Sequence, residues 1–220
     1  SASGDIAFRA DTAADKNGQG TYVYEPEEPL DGPIIKDRLL KGETTVTADD
    51  THAEDGYVSA AYNGDDSITV DMANHGLRLE AASSASAKAA AVRVGKGTDG
   101  NKKSINFINM EKNKPLVISA DQTDGREATG IYVSENGKLS VAGDVVIDKV
   151  STSGRMAYGV ANRGPNAELI IKGGLKIAGT GADEWRTVKA AKDTTGISVT
   201  AIANIGNNAK LTIEGPLDVK

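Results

Sequence analysis

Short stretches of alternating apolar and polar residues recur along this chain, and one such pattern appears three times in its last third. The copies read NGKLSVAGDVVIDK from Asn136, NAELIIKGGLKIAG from Asn166 and NAKLTIEGPLDVK from Asn208. Alternation with a period of two is typical of half-buried strands, and the glycine inside each copy indicates a turn. Each copy therefore predicts a strand, a turn and a second strand.

The three copies align without a gap, so that like residues occupy like positions. The aligned sets are Asn136, Asn166 and Asn208; Leu139, Leu169 and Leu211; Val141, Ile171 and Ile213; Gly143, Gly173 and Gly215; Val145, Leu175 and Leu217; and Ile147, Ile177 and Val219. Strands this short are unstable as isolated hairpins, but stacking in register gives each backbone group a partner above and below. The alignment therefore predicts stacked coils with leucine on leucine and glycine on glycine.

The outward positions of these strands support stacking, with two exceptions. Lys138, Glu168 and Lys210 alternate in sign, and opposite charges on neighbouring strands attract one another. Val146 and Ile170 are apolar at positions where the alternation predicts solvent.

Looser versions of the pair occur at 104–119 and 67–80, and a third apolar run precedes each pair. The third runs span 58–63, 90–94, 130–134, 158–162 and 200–204. Five units of three short strands predict an all-β fold, a parallel β-helix over 57–220, rather than a β-sandwich of short strands. Residues 1–56 are less regular and are expected to form a cap or an irregular first coil.

Composition narrows the classes of protein that remain. Aromatic residues make up only 4% of the 220 residues and glycine occurs 25 times, which suits a thin, regular core with many turns. The net charge of −6 disfavours nucleic acid as a partner. There is no cysteine, and no apolar run reaches the roughly 18 residues of a membrane span. We therefore expect no nucleic-acid binding and no membrane insertion by this segment.

Residues 128–149, 157–179 and 201–220 resemble the passenger domains of bacterial autotransporters. They show that family's recurring G-[IV] strand, then N-[GA]-x-L-x-[IV], then G-x-[VL]-x-[IV]. The resemblance implies a right-handed parallel β-helix that is secreted, exported across the outer membrane and displayed on the bacterial cell surface. It also implies an adhesin or a self-association factor, and a longer protein of which this chain is a fragment. The motif marks an architecture and not an activity.

Motifs that suggest catalysis or cofactors are weak. Gly95, Gly97 and Gly100 form a literal G-x-G-x-x-G, but a dinucleotide site needs a helix after it and the following residues are polar and then strand-like. The spacing around Asp11 and Asp15 fails as a calcium loop. We expect no cofactor, no metal site and no catalytic residue. A polysaccharide lyase or glycoside hydrolase remains the alternative, because coils can bring distant carboxylates together.

Surface loops are the best candidates for binding. An insertion lengthens the spacing of the repeat from 30 residues to 42 and contains Trp185 and Arg186, residue types that are enriched at binding hot spots. Acidic loops supply the other candidates, Asp49, Asp50, Glu54, Asp55, Asp65 and Asp66. The expected partner is a host surface protein, a host glycan or another copy of the chain. A shaft with no ligand of its own is the weakest hypothesis.

Overall fold

A computed structural model describes residues 37–40, 42–178, 187–191 and 198–220, and these residues form a parallel β-helix. The strands are β1 (Asp37–Leu39), β2 (Thr44–Ala48), β3 (Tyr57–Val58), β4 (Ala61–Tyr62), β5 (Ile68–Asp71), β6 (Leu77–Ser83), β7 (Lys88–Val94), β8 (Lys103–Ile108), β9 (Leu116–Gln122), β10 (Ala128–Val133), β11 (Gly137–Val141), β12 (Val145–Thr152), β13 (Met156–Arg163), β14 (Glu168–Ile171), β15 (Leu175–Ile177), β16 (Val188–Lys189), β17 (Ser198–Ile205), β18 (Lys210–Ile213) and β19 (Leu217–Val219). Helix within these ranges is limited to one 3-10 turn, Asp50–His52.

The strands stack into three parallel sheets, which we name A, B and C. Sheet A contains β3, β4, β7, β10, β13 and β17; sheet B contains β2, β6, β9, β12, β15, β16 and β19; sheet C contains β1, β5, β8, β11, β14 and β18. The chain passes through C, then B, then A in each coil, so each strand pairs with the strand one coil away. The predicted architecture of three strands per coil is confirmed.

The predicted register is also confirmed. Leu139 pairs with Leu169, and Leu169 pairs with Leu211. On sheet B, Val145 pairs with Leu175 and Leu175 with Leu217. Leu139 and Leu169 are fully buried. Side chains alternate between core and solvent along a strand. Once one residue pair of two neighbouring strands is in register, all the other pairs of those strands are therefore fixed as well.

The charged ladder lies in the expected register, with an additional partner for its central carboxylate. Glu168 pairs with Lys138 and Lys210 in the backbone register. Its Oε2 atom accepts a hydrogen bond of 2.9 Å from Lys102 Nζ, and this bond holds the pKa of Glu168 below its ordinary value.

The turns between sheets A and C repeat as well. Asn136, Asn166 and Asn208 all adopt the left-handed conformation, with φ of 53°, 60° and 59°. Asparagine tolerates this conformation better than other residues with a side chain. Asn166 Nδ2 donates to Asn136 Oδ1 at 3.1 Å, so the side chains also connect successive coils.

Strands β1 and β2 extend the stack before β5 and β6, because β1 pairs with β5 and β2 pairs with β6. The remainder of the expected cap lies largely outside the described residues, and that expectation stays a prediction.

The glycine motif at 95–100 leads into strand β8, and Thr98 bridges to Asn101 in a tight turn. The helix that a dinucleotide site requires is therefore not formed there.

Candidate functional site

The acidic loop at 49–55 uses part of its charge to fix its own conformation. Asp49 Oδ1 accepts from the backbone N–H of Thr51 at 3.0 Å, and His52 Nδ1 accepts from that of Asp49 at 3.0 Å. Asp50 accepts from the backbone N–H of Ser84 at 2.9 Å and from its hydroxyl, and these bonds lower the pKa of Asp50. The loop is thereby tied to the turn that follows β6.

Glu54 and Asp55 form part of a cluster centred on Arg93. Arg93 Nη2 donates to the Glu54 carbonyl oxygen at 3.2 Å and lies 3.9 Å from Asp55 Oδ2. The Tyr62 hydroxyl donates to the same Asp55 oxygen at 3.0 Å. Burial raises the pKa of Glu54, and the negative charge of Asp55 raises it further. The acidic loop therefore contacts Arg93 and Tyr62 on the outward face of sheet A.

The other predicted binding residues lie elsewhere in the chain. Asp65 and Asp66 lie in the turn between β4 and β5, where the Asp66 N–H donates to the Asn63 carbonyl at 3.0 Å. Trp185 and Arg186 lie outside the described residues, so their role stays a prediction. The part of the chain that the structure describes contains no group of three or more His, Cys, Asp or Glu side chains that could hold a metal ion.

A group of tyrosines that was not predicted from the sequence lies on the outward face of sheet A. Four of the chain's six tyrosines lie there, and we call Tyr57, Tyr62, Tyr132 and Tyr158 the tyrosine surface. They come from four different strands, β3, β4, β10 and β13. In a chain with so few aromatic residues, this convergence marks sheet A as chemically distinct from the other two sheets.

Arg93 fixes two of these rings. Its guanidinium carbon lies 3.6 Å from the centre of the Tyr62 ring and 4.4 Å from the centre of the Tyr57 ring. Arg93 is only 7% exposed, and a desolvated cation over an aromatic face is worth about 2 kcal/mol. Tyr57 in turn packs on Tyr132, with ring centres 5.8 Å apart. These contacts connect three of the rings, and Tyr132 also packs against the apolar cluster that contains Tyr158.

The accessible part of this surface is aromatic, with charges of both signs around it. Tyr57 and Tyr132 are half-buried, whereas Lys88 and Arg163 on the same sheet are exposed. Lys88 Nζ lies 5.5 Å from the centre of the Tyr57 ring. In addition to burial, the negative charge of Glu127 raises the pKa of both accessible tyrosines. The two accessible rings are therefore flanked by two cations and a carboxylate, and the other two rings of the surface are buried.

The register of the third apolar run carries the signal that could have revealed this surface. Tyr62 pairs with Arg93, Arg93 with Tyr132, and Tyr132 with Ala161. An alignment of the third apolar runs, 58–63, 90–94, 130–134 and 158–162, places these four residues in one column, just as the alignment of the repeated pair places the leucines in one column.

Burial of the tyrosine rings predicts an alkaline loss of stability. Burial raises the pKa of Tyr57 and Tyr132, and it raises the pKa of Tyr62 to about 12. The unfolded pKa is about 10, so the folded state holds the Tyr62 proton more tightly. This pKa difference stabilises the folded protein by about 2 to 3 kcal/mol below about pH 10, and the stabilisation is lost as the pH rises through about 12.

Urea unfolding at a series of alkaline pH values tests this expectation. Tyr62→Phe costs about 1 kcal/mol at neutral pH, because the hydrogen bond to Asp55 is lost, but its stability declines less above pH 10. Tyrosinate absorbance of the folded protein should rise later than that of the unfolded chain. Equal alkaline losses in the two proteins would contradict the assignment to Tyr62.

Basic and acidic residues meet on the outward face of sheet B, in a cluster that was not predicted from the sequence. Arg78 Nη1 lies 3.3 Å from Asp148 Oδ2 and 3.6 Å from Glu80 Oε1, and Lys149 Nζ lies 3.7 Å from Asp121 Oδ2. These residues come from three different coils, so only the stacking brings them together.

Comparison with known proteins identifies no relative from which a function could be inferred, so the function is argued from the surface of the molecule. The described part of the chain contains no helix long and apolar enough to cross a membrane. No family model, curated protein or solved structure matches the chain.

Proposed function

We propose that this protein is a surface-displayed adhesive module, an autotransporter passenger that acts as an adhesin or a self-association factor. It binds without covalent chemistry, through the tyrosine surface of sheet A, to a host surface protein or to another copy of itself. The observation that supports this proposal is the convergence of four tyrosines and Arg93 on one outward sheet face.

The chemistry of that face suits protein recognition. Tyrosine and arginine are enriched at the few positions that dominate binding energy. Rings that are already fixed lose little conformational entropy on binding, and Arg93 and the Tyr57–Tyr132 contact hold them in place. Lys88, Arg163 and Glu127 place charges of both signs around the rings, which favours a partner whose rim carries complementary charges.

The resemblance to autotransporter passengers supports the proposed location. It favours export across the outer membrane and display on the bacterial cell surface, where an adhesive shaft meets its partners. A repetitive β-helix is suited to this role because each coil adds length through contacts with its neighbours only.

The enzymatic alternative, a polysaccharide lyase or glycoside hydrolase, stays a prediction. Glu80 and Asp148 are two carboxylates on one sheet face, but both contact the same guanidinium, that of Arg78. This shared ion pairing stabilises their charged forms, which favours a binding role over acid–base chemistry.

Alanine substitution of the two accessible rings tests the adhesive proposal. We expect Tyr57→Ala combined with Tyr132→Ala to weaken partner binding by about 10- to 100-fold, as truncation of hot-spot residues does. Cell aggregation and binding to host matrix proteins are the measurements. Ile170→Ala is the matched control, since Ile170 is a half-buried apolar residue that projects outward from sheet C.

Circular dichroism should show that both proteins keep the β-helix. Unchanged adhesion of the double variant would contradict the proposal. Loss of adhesion on deletion of residues 180–193 alone would instead place the binding site at the insertion that contains Trp185 and Arg186.

A further inference from the structure

A cleft of about 420 Å³ lies at the outward face of sheet B, where strands β2, β6 and β9 begin. Its volume is within the usual range for small-molecule sites. Glu43, Arg78 and Lys114 supply its charged groups, and Pro115 and Val117 supply apolar lining. We call this feature the sheet B cleft.

Arg78 has donors to spare for a ligand. Among the described residues, both of its carboxylate contacts, to Glu80 and Asp148, use Nη1. A guanidinium carries five N–H donors, so those on Nη2 and Nε remain for another acceptor. The two carboxylates hold the side chain in place, which makes Glu80 and Asp148 positioning residues for Arg78.

Asp148 occupies an irregular position in the sheet. The register of β12 on β9 shifts between Ile147 and Lys149, so Asp148 is the extra residue of a β-bulge. Bulges of this kind redirect a side chain and are frequent beside functional sites. The Asp148 side chain is 16% exposed and reaches Arg78 two strands away. The bulge therefore directs this carboxylate toward the arginine.

An apolar strip continues from the cleft. Arg78 pairs with Val117, Val117 with Val146, and Val146 with Lys176, all on the outward face. Val117 and Val146 are both half-buried. This strip gives a reason for Val146, which breaks the alternation of the repeat: the two valines form a small apolar platform next to a polar cluster.

Acidic and basic groups occur together at the cleft. Lys114 Nζ lies 3.4 Å from Glu43 Oε1 and 3.7 Å from Glu111 Oε2. The lining supplies one acid, Glu43, and two bases, Arg78 and Lys114, while Glu80, Glu111 and Asp148 contact those bases from beside the cleft. Each cation is therefore already paired with carboxylates, so the cleft offers both hydrogen-bond donors and acceptors instead of a site for an anion.

We propose that the sheet B cleft binds a neutral oligosaccharide. Each sugar hydroxyl both donates and accepts, so one hydroxyl can donate to Glu43 while a neighbouring one accepts from Arg78 or Lys114. The C–H face of the sugar ring packs on Val117 and Val146. This site is separate from the tyrosine surface on sheet A and does not depend on the adhesive function proposed for it.

An array of neutral and acidic oligosaccharides, probed with the chain described here, tests the proposal. We expect binding to neutral members that changes little with salt, because no net charge is neutralised. Arg78→Ala should lower the affinity about tenfold or more, since it removes charge-assisted hydrogen bonds. Lys176→Ala is the matched control, an exposed cation on the same ladder two strands beyond Val117.

Val117→Thr supplies a second test that keeps the side-chain shape, and it should also weaken binding. Urea midpoints identify any variant that fails to fold. Three results would overturn the proposal: no neutral glycan bound, equal affinities for the Arg78→Ala and Lys176→Ala proteins, or a preference for acidic glycans that falls steeply with added salt.

Discussion

Leu169→Asp should abolish cooperative folding of the β-helix. Leu169 is fully buried between Leu139 and Leu211 in the central ladder of sheet C. Loss of its burial costs about 1.5 to 3 kcal/mol, and an unpaired buried carboxylate costs several more. The sum is comparable to the whole stability of a typical domain, which is about 5 to 15 kcal/mol. Urea unfolding followed by circular dichroism measures the effect.

Ser140→Asp is the matched control for that experiment. Ser140 is one residue out of phase with Leu139 and is half-exposed on the outward face, so a carboxylate there stays hydrated. We expect a change within about 1 kcal/mol. Leu169→Ala provides an intermediate step of about 2 to 5 kcal/mol. Similar urea midpoints for Leu169→Asp and Ser140→Asp would contradict the described register.

Gly173→Ala should destabilise the protein by about 3 kcal/mol, because the turns of neighbouring coils leave no room for a side chain. A Cβ atom at Gly173 would lie 2.5 Å from the carbonyl carbon of Gly143 and 2.6 Å from the backbone nitrogen of Asp144. Backbone atoms held in a stack cannot move aside without separating the coils. The Gly173 N–H also donates to the Gly143 carbonyl at 3.1 Å, a bond that such a separation would break.

Gly143→Ala is the control, since it makes the same chemical change one coil earlier. The atom nearest to a Cβ at Gly143 is Met110 Cβ at 2.9 Å, and the next two, Met110 Cε and Sδ, lie at the flexible end of that side chain and can adjust. Because no atom of a neighbouring backbone is among them, we expect a smaller cost than at Gly173, of about 1 kcal/mol. Thermal unfolding of the two variants compares them directly. A larger loss for Gly143→Ala than for Gly173→Ala would be inconsistent with this account of the turn stack.

The regular coils could be predicted from the sequence because their information is local and repeated. Leu139, Leu169 and Leu211 recur at the same offset from an asparagine and a glycine, and a strand has only two faces on which to place them. Once the copies were aligned, the register followed, and the structure confirms it. The glycine positions followed from the same alignment.

The proposed binding surfaces were harder to predict because single residues, not repeated ones, form them. Tyr57, Arg93 and Tyr132 are separated by more than thirty residues in the sequence. The acidic loops were predicted from composition, and their role in binding stays a prediction. The structure shows that Asp49 and Asp50 stabilise the loop and that Asp55 anchors Tyr62.

The sequence by itself determined the repeat, the phase of each strand and the residues of the core, since alternation and periodicity act within a few neighbouring residues. Only the tertiary structure decided which outward residues meet. Stacking places residues one coil apart on adjacent strands, about 4.8 Å from each other. That short distance brings Tyr62 to Arg93 and Arg93 to Tyr132, and it places Arg78 within reach of Asp148, although 70 residues separate the latter pair in the chain.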